Sequence, residues 1–493
     1  MLAAANPAPR AEPGVAGLLT EGGDGRIALD PATGRNRYGC APIPDPSIAA
    51  FGSTTVSTIS ASAYAAAEAL HANVAAQPSP RLAYAEQMQR IRTELAGLCG
   101  LPAAGEMVLA ASGTDLHLIA ADLVRGDDRR PLITVMPDPG ETGRGVPAAL
   151  RSARFDEICP HGRPGAMGDI LSGAPEGRVI AVALREAGGA PRAAAAIDAD
   201  FEAACLRAVG TGGKVLLTVV DVSKTGLIAP SPALAAGLKA RYDDAVEVMV
   251  DACQFRLSAA SLGAYLAQGF MVAITGSKFV SGPPFSGALL CPPHLAWRFR
   301  GHTPLPALGD YSARQDWPEG WTARRFLPDV QNFGLMLRWE AALHELRAFR
   351  ALPDTAVSDF LAAFAGAVQA RLVADAAFEP IAAPAPERFV AGGWDAQPTI
   401  LSFLLRDTEA GNRTMNAART MAVFKRLQMQ AAPIHLGQPV TVGLNDQGPI
   451  TALRVSASAR LVVEALSTPN GQEVVIDRAM SALDAVSATV PLN

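Results

Sequence analysis

Of the 42 basic side chains in this 493-residue chain, five are lysines: Lys214, Lys224, Lys239, Lys278 and Lys425. Any chemistry that needs a deprotonatable amine must draw on these five. Lys278 follows two hydroxyls, in Thr275-Gly276-Ser277-Lys278, and opens a Gly/Pro-rich loop. An amine in such a place can condense with a carbonyl as a Schiff base and then move protons. Asp251 closes an apolar run 27 residues earlier, with Gln254 three residues beyond it. A carboxylate there can bind a metal, a ribose or a protonated ring nitrogen. Ser112-Gly113-Thr114-Asp115 ends another apolar run and opens a helical pattern. Its glycine allows close approach, and the free N–H groups with the helix dipole favour an anion such as phosphate. Taken singly, each also reads as a helix cap or a surface lysine.

The elements that must position these residues are legible as a pattern. Between 105 and 292 short apolar runs (106–112, 131–137, 178–184, 214–223, 245–252, 270–277, 286–292) alternate with helical segments (115–124, 200–209, 231–242). Buried β-branched runs separated by helices predict an α/β fold, a mainly parallel seven-stranded sheet covered on both faces. The direction of the 286–292 run is open. Residues 1–46, rich in Gly, Pro and Ala, read as an N-terminal arm. Helices are expected near 61–76 and 81–99. Beyond 325 the chain reads as helical to about 373. It continues as α+β, with strands at 399–406 and 451–458 and helices near 411–428 and 472–487. The expected division is an arm (1–46), a large domain (47–325, whose first helices could pack on the other domain) and a smaller α+β C-terminal domain (326–493). Ligands of open α/β sheets bind beyond the carboxyl ends of the strands, where all three motifs fall.

An anion-binding turn, then a strand-end acid, then a lysine behind two hydroxyls is the order pyridoxal 5'-phosphate (PLP) requires. The lysine carries the cofactor, the acid keeps its ring nitrogen protonated, and the turn and hydroxyls anchor its phosphate. On these residues the sequence resembles the fold-type I PLP enzymes, and more narrowly the class V aminotransferase group, which includes cysteine desulfurases and kynureninases. The resemblance spans about 105–345 and extends loosely to the C-terminal part. It implies phosphate contacts from Ser112, Gly113, Thr114, Thr275 and Ser277, and a Schiff base on Lys278. It further implies a ring-nitrogen partner in Asp251 and a contact from Gln254 to the phenolic oxygen. Ser223, in Asp221-Val222-Ser223-Lys224-Thr225-Gly226, stands where that group has a cofactor-proximal Asn. Leu453-Arg454-Val455-Ser456 resembles its Arg-x-Ser, whose arginine takes the substrate carboxylate through a bidentate fork.

The departures narrow the reading. The ring-stacking His of many members falls near Gly140-Glu141-Thr142-Gly143, which has no histidine, so Thr142 is the candidate over the ring. The Gly-Thr segment through which a second subunit touches the phosphate falls at Asp329-Val330. His435-Leu436-Gly437-Gln438-Pro439 resembles a desulfurase loop whose cysteine is replaced here by Gly437, and no cysteine follows Cys291. Persulfide chemistry needs a mobile thiolate, which argues against a desulfurase. Other features read plainly: Gly210-Thr211-Gly212-Gly213-Lys214 precedes a strand and is a turn, not a P-loop. His71 is solvated or capping, His117 packed or capping, and Cys253 a small buried hydrophobe. Lys224 is the one rival amine, also at a strand end.

A formal charge of −5 and a pI near 5.9 argue against a nucleic-acid binder. No window approaches 18 uncharged apolar residues, and the N-terminus lacks a basic then apolar signal pattern, so no membrane partner is expected. Six scattered cysteines without a CxxC fit a reduced, cytoplasmic protein with no metal site. The expectation is a PLP-dependent enzyme acting on an amino acid or primary amine, first as an aminotransferase. A lyase (kynureninase-like, or β-eliminating at C–S) and a non-catalytic PLP-fold binding protein are the alternatives. A homodimer is what the resemblance implies.

Overall fold

The computed structural model describes residues 14–490 apart from 56, 383, 408–410, 412 and 447. The first thirteen residues of the expected arm, including the segment read for a signal pattern, lie outside the described residues.

All seven apolar runs are strands of one sheet. Their spatial order is Glu106–Ala110, Gly287–Cys291, Met271–Thr275, Val246–Ala252, Lys214–Val220, Leu132–Pro137, Arg178–Val182. Gly287–Cys291 runs antiparallel to both neighbours, which settles its direction, and the remaining pairs are parallel. The central strands are buried at every residue, so they read as continuous apolar runs. Alternation divides them between two cores. Val248, Val250, Val272 and Ile274 face one core, with helices Ala61–Ala75, Pro80–Cys99 and Phe333–Arg350. Met249, Met271 and Ala273 face the other, with helix Gly113–Arg125.

A second, antiparallel sheet takes its strands in the order Phe378–Ile381, Ile400–Asp407, Gly448–Ser456, Ile434–Asn445. Ala49–Phe51 adds a parallel strand at its edge, with Ala49 opposite Ile434. Residues 435–439, matched above to a loop, therefore lie inside a strand. A register irregularity between Gly437 and Val440 accommodates Pro439. Among the described residues, helix Asp354–Ala374 is long and apolar enough to cross a membrane by length and composition. Here it buries Val357, Phe360, Leu361, Phe364 and Val368 in the core of the second sheet.

Residues 19–22 of the arm are strapped to helix Phe333–Arg350 and the asparagine that caps it. Buried Arg338 donates to the carbonyls of Leu19 (3.1 Å), Glu21 (2.6 Å) and Gly22 (3.1 Å), and Asn332 also donates to Gly22 (2.9 Å). Gly22 has φ +65°, a left-handed conformation that favours glycine.

Candidate active site

The site is built at the carboxyl ends of the large-sheet strands. Ser112 caps helix Gly113–Arg125: its Oγ accepts from the N–H groups of Thr114 (3.2 Å) and Asp115 (3.4 Å) and donates to the Asp115 carboxylate. Gly113 has no room for a side chain. A Cβ there would stand 2.7 Å from Cys253 Sγ and 3.3 Å from Thr275 Cγ2. The turn thus rests directly on the ends of the two central strands. Thr275 Oγ1 donates to the Cys253 carbonyl (2.6 Å) and Ser277 Oγ to Thr275 Oγ1 (3.4 Å). The loop of Thr142 closes over the same turn, since a Cβ at Gly145 would meet Thr114 Cγ2 at 3.2 Å. Thr142 Oγ1 is buried with no hydrogen-bond partner among the described residues. The structure therefore gathers Ser112, Gly113, Thr114, Thr275 and Ser277, with Thr142 in the adjoining loop.

Asp251 is buried at the end of its strand. Its Oδ1 accepts from Cys253 N–H (3.2 Å), and its Oδ2 lies 3.3 Å from His117 Nε2. Burial alone would raise the carboxyl pKa, but His117, Lys278 and the Cys253 thiol outweigh it and hold the group well below the usual range. The Lys278 ammonium has no hydrogen bond or ion pair among the described residues, while its backbone carbonyl accepts from Ser57 Oγ (3.4 Å). His117, read above as packed or capping, is packed and also touches Asp251. It lies four residues after Gly113 on the helix, and its Nδ1 sits 2.7 Å from the Gly113 carbonyl. That spacing was visible in sequence; the meeting with Asp251, 134 residues away, was not.

The remaining residues form a polar wall. Ser223 Oγ donates to Glu141 Oε2 (2.7 Å) and accepts from the N–H groups of Thr225 and Leu227, so within this structure it serves its own loop. Glu141 also receives Arg185 Nε (2.5 Å) and Thr225 Oγ1. Neither Glu141, Arg185 nor Thr225 was singled out from sequence. Gln254 turns toward the second sheet: Nε2 donates to the Thr54 carbonyl (3.0 Å) and Oε1 accepts from Arg256 (3.4 Å). Arg454 is buried, with Nη1 on the Lys224 carbonyl (3.1 Å) and Nη2 on the Gln438 carbonyl and Thr55 Oγ1. Its Nε and Thr54 Oγ1 are buried without partners among the described residues. Gly437 lies over both; a Cβ would stand 2.4 Å from Thr54 Oγ1 and 3.0 Å from Arg454 Nε. From the arm, Arg26 pairs with Asp24 and reaches Ser112 Oγ (3.2 Å). Buried beside Asp24, the Asp115 carboxyl is pushed up to about 7.

The two-sheet architecture and the strand order of the large sheet define a fold class. The chain has the fold of the fold-type I PLP-dependent enzymes. Solved structures of that fold match it over most of its length at low identity. The cysteine desulfurase CsdA from Escherichia coli (S-sulfonic acid) is 13% identical, with TM-score 0.54, covering 89% of this chain and 94% of that one. The cystine C–S lyase C-DES, in complex with its reaction product cysteine persulfide, is 14% identical, with TM-score 0.52, covering 87% and 97%. Oryza sativa TDC with PLP is 12% identical, with TM-score 0.52, covering 92% and 85%. No protein-family model matches the chain, and no curated protein does.

Proposed function

We propose that the chain is a PLP-dependent enzyme acting on an amino acid or primary amine. The observation that carries this reading is the pairing of two groups at adjacent strand ends. Lys278 offers an ammonium without a protein partner, and Asp251 offers a buried carboxylate held ionised. The donor set fits the cofactor. Thr114, Thr275, Ser277 and the helix N-terminus suit its phosphate, and Asp251 Oδ2 suits its protonated ring nitrogen. The buried, unpartnered Thr142 Oγ1 lies in the loop beside them. The fold's likeness to enzymes solved with PLP adds to the case.

When bound, the cofactor supplies an electron sink for a carbanion at the substrate Cα. The protein's part is to hold and to move protons. Asp251 keeps a proton on the ring nitrogen, and His117 fixes that carboxylate in place. The Lys278 amine, once free, moves the proton at the substrate Cα. Arg454, at the base of the second sheet, orients a carboxylate through its unpartnered Nε. The Thr142 loop and the Gly437 strand border the same space and restrict water.

The reaction proposed is transamination, which asks of the protein one proton-moving amine, supplied by Lys278. A cysteine-borne persulfide finds no carrier: all six cysteines are buried, and burial pushes the Cys253 thiol well above its usual range. The same six unpaired thiols support a reducing, cytoplasmic setting. A homodimer is part of the reading. The test incubates the PLP-loaded protein with single amino acids, with and without a keto-acid acceptor. Transfer of the amino group to the acceptor supports transamination. Keto acid and ammonia formed without an acceptor would replace it with the lyase reading, and no turnover of any amino acid would leave a PLP-binding protein.

A further inference from the structure

Four cations near the Lys278 loop lack counter-charges. Lys224, Arg256, Lys278 and Arg454 have no carboxylate within 4 Å among the described residues; their contacts are to carbonyls, hydroxyls, an amide oxygen or none. The two nearby acids are already engaged, Glu141 by Arg185, Ser223 and Thr225, and Asp251 by His117. Buried charges are ordinarily paired, so a cluster in this condition is matched to anions that arrive with a ligand.

Lys224 is the residue that the proposed reaction leaves unused. It follows Ser223 in the loop after strand Lys214–Val220 and is only partly exposed. Its Nζ donates to the carbonyls of Gly140 (3.1 Å) and Pro139 (3.4 Å), which aligns two of three ammonium hydrogens and leaves one free. Its own carbonyl receives Arg454 Nη1, and the two cations stand near enough for their charges to oppose, while Arg454 Nε and Thr54 Oγ1 are buried and unpartnered among the described residues. One α-carboxylate can satisfy Arg454; it leaves Lys224 without an anion.

We propose that Lys224 binds a second acidic group on the substrate, so that the enzyme takes an α-amino acid whose side chain ends in an anion. This inference rests on the PLP reading above. Burial, with Arg454, Lys278 and Arg144 nearby and only Glu141 opposing, lowers the Lys224 amine to about 7. An incoming carboxylate reverses that balance and holds the ammonium charged. The neutral isosteres asparagine and glutamine offer an amide of the same shape without the charge.

The test titrates PLP-loaded protein with aspartate against asparagine and glutamate against glutamine, reading the absorbance of the bound cofactor. The wild type should bind at least one acidic member about tenfold or more tighter than its amide. Lys224→Gln should lose that preference and Lys224→Arg should keep it, both still carrying a borohydride-reducible adduct on Lys278. Equal affinity for acid and amide in the wild type would overturn the proposal, as would a preference that survives in Lys224→Gln. Should Lys224→Gln fail to hold PLP, Lys224→Met is read in its place, and the wild-type comparison stands on its own. A wild-type protein that takes up no PLP contradicts the underlying reading instead, and does so before any amino acid is added.

Discussion

His117 Nε2 lies 3.3 Å from Asp251 Oδ2, while His117 Nδ1 sits 2.7 Å from the carbonyl of Gly113. One buried ring thus joins the strand-end acid to the first turn of helix Gly113–Arg125. The helix and the acid cannot shift independently, and the acid stays ionised. His117→Ala should cost about 1 kcal/mol of folding stability, the scale for a buried hydrogen bond such as the one to the Gly113 carbonyl, in urea unfolding at pH 7. The same variant should bind PLP more weakly, since the Asp251 carboxylate loses the partner that opposes its burial.

Asp115 supplies a pH dependence with a definite sign. Its carboxyl is pushed up to about 7 in the folded protein, by burial and by Asp24, from an ordinary 3.8. Between those values the unfolded chain has released the proton and the folded one has not, so this group's contribution falls as pH rises and levels off above 7. Asp115→Asn has no such proton. Its stability relative to wild type should climb between pH 4 and 7, by up to about 1.4 kcal/mol per pH unit, and then stay flat. Denaturant midpoints measured at pH 4, 5.5, 7 and 8 check this; a constant difference would contradict it.

Asp221 and Arg388 form a fully buried pair, with Nη2 to Oδ1 at 2.6 Å, and Tyr265 donates to the same carboxylate at 2.7 Å. The pair ties the Ser223–Lys224 loop to residues leading into the second sheet. Arg388→Ala leaves an uncompensated buried carboxylate and should cost about 3–5 kcal/mol in chemical denaturation. Arg388→Ala combined with Asp221→Asn should recover a large part of that loss.

Gly437 lies against Thr54 and Arg454, and a side chain there would crowd both. Gly437→Ala should lose about 1–3 kcal/mol through contact with Thr54 and Arg454. Thr54→Gly in the same chain removes the nearer obstacle and should restore part of it. A double-mutant cycle on thermal midpoints checks this, and fully additive effects would contradict it.

The large sheet was legible because its central strands are buried on both faces and separated by helical segments, a pattern local to each segment. The sequence also picked out Lys278 and Asp251, since strand ends are where such folds bind ligands and lysine is scarce. What escaped was non-local. The antiparallel course of Gly287–Cys291 depends on its two partners and leaves no mark in five apolar residues. Strand Ile434–Asn445 was hidden by its own Gly437 and Pro439, which read as a loop, and its neighbour Ala49–Phe51 comes from nearly 400 residues earlier. Glu141, Arg185 and Thr225 meet only because three loops converge. Ser223 and Gln254 were placed by resemblance, and their side chains bond to neighbouring protein groups here. Lys224 reads from the sequence as a rival to Lys278, whereas in the fold the two amines stand near enough for their charges to oppose.

The central claim is that Lys278 carries the cofactor. Purified protein incubated with PLP, reduced with borohydride and digested should yield one pyridoxyl-modified peptide, containing Lys278, with a cofactor absorbance band lost in Lys278→Ala. A protein that takes up no PLP, or a modification found on Lys224 and retained in Lys278→Ala, would contradict it.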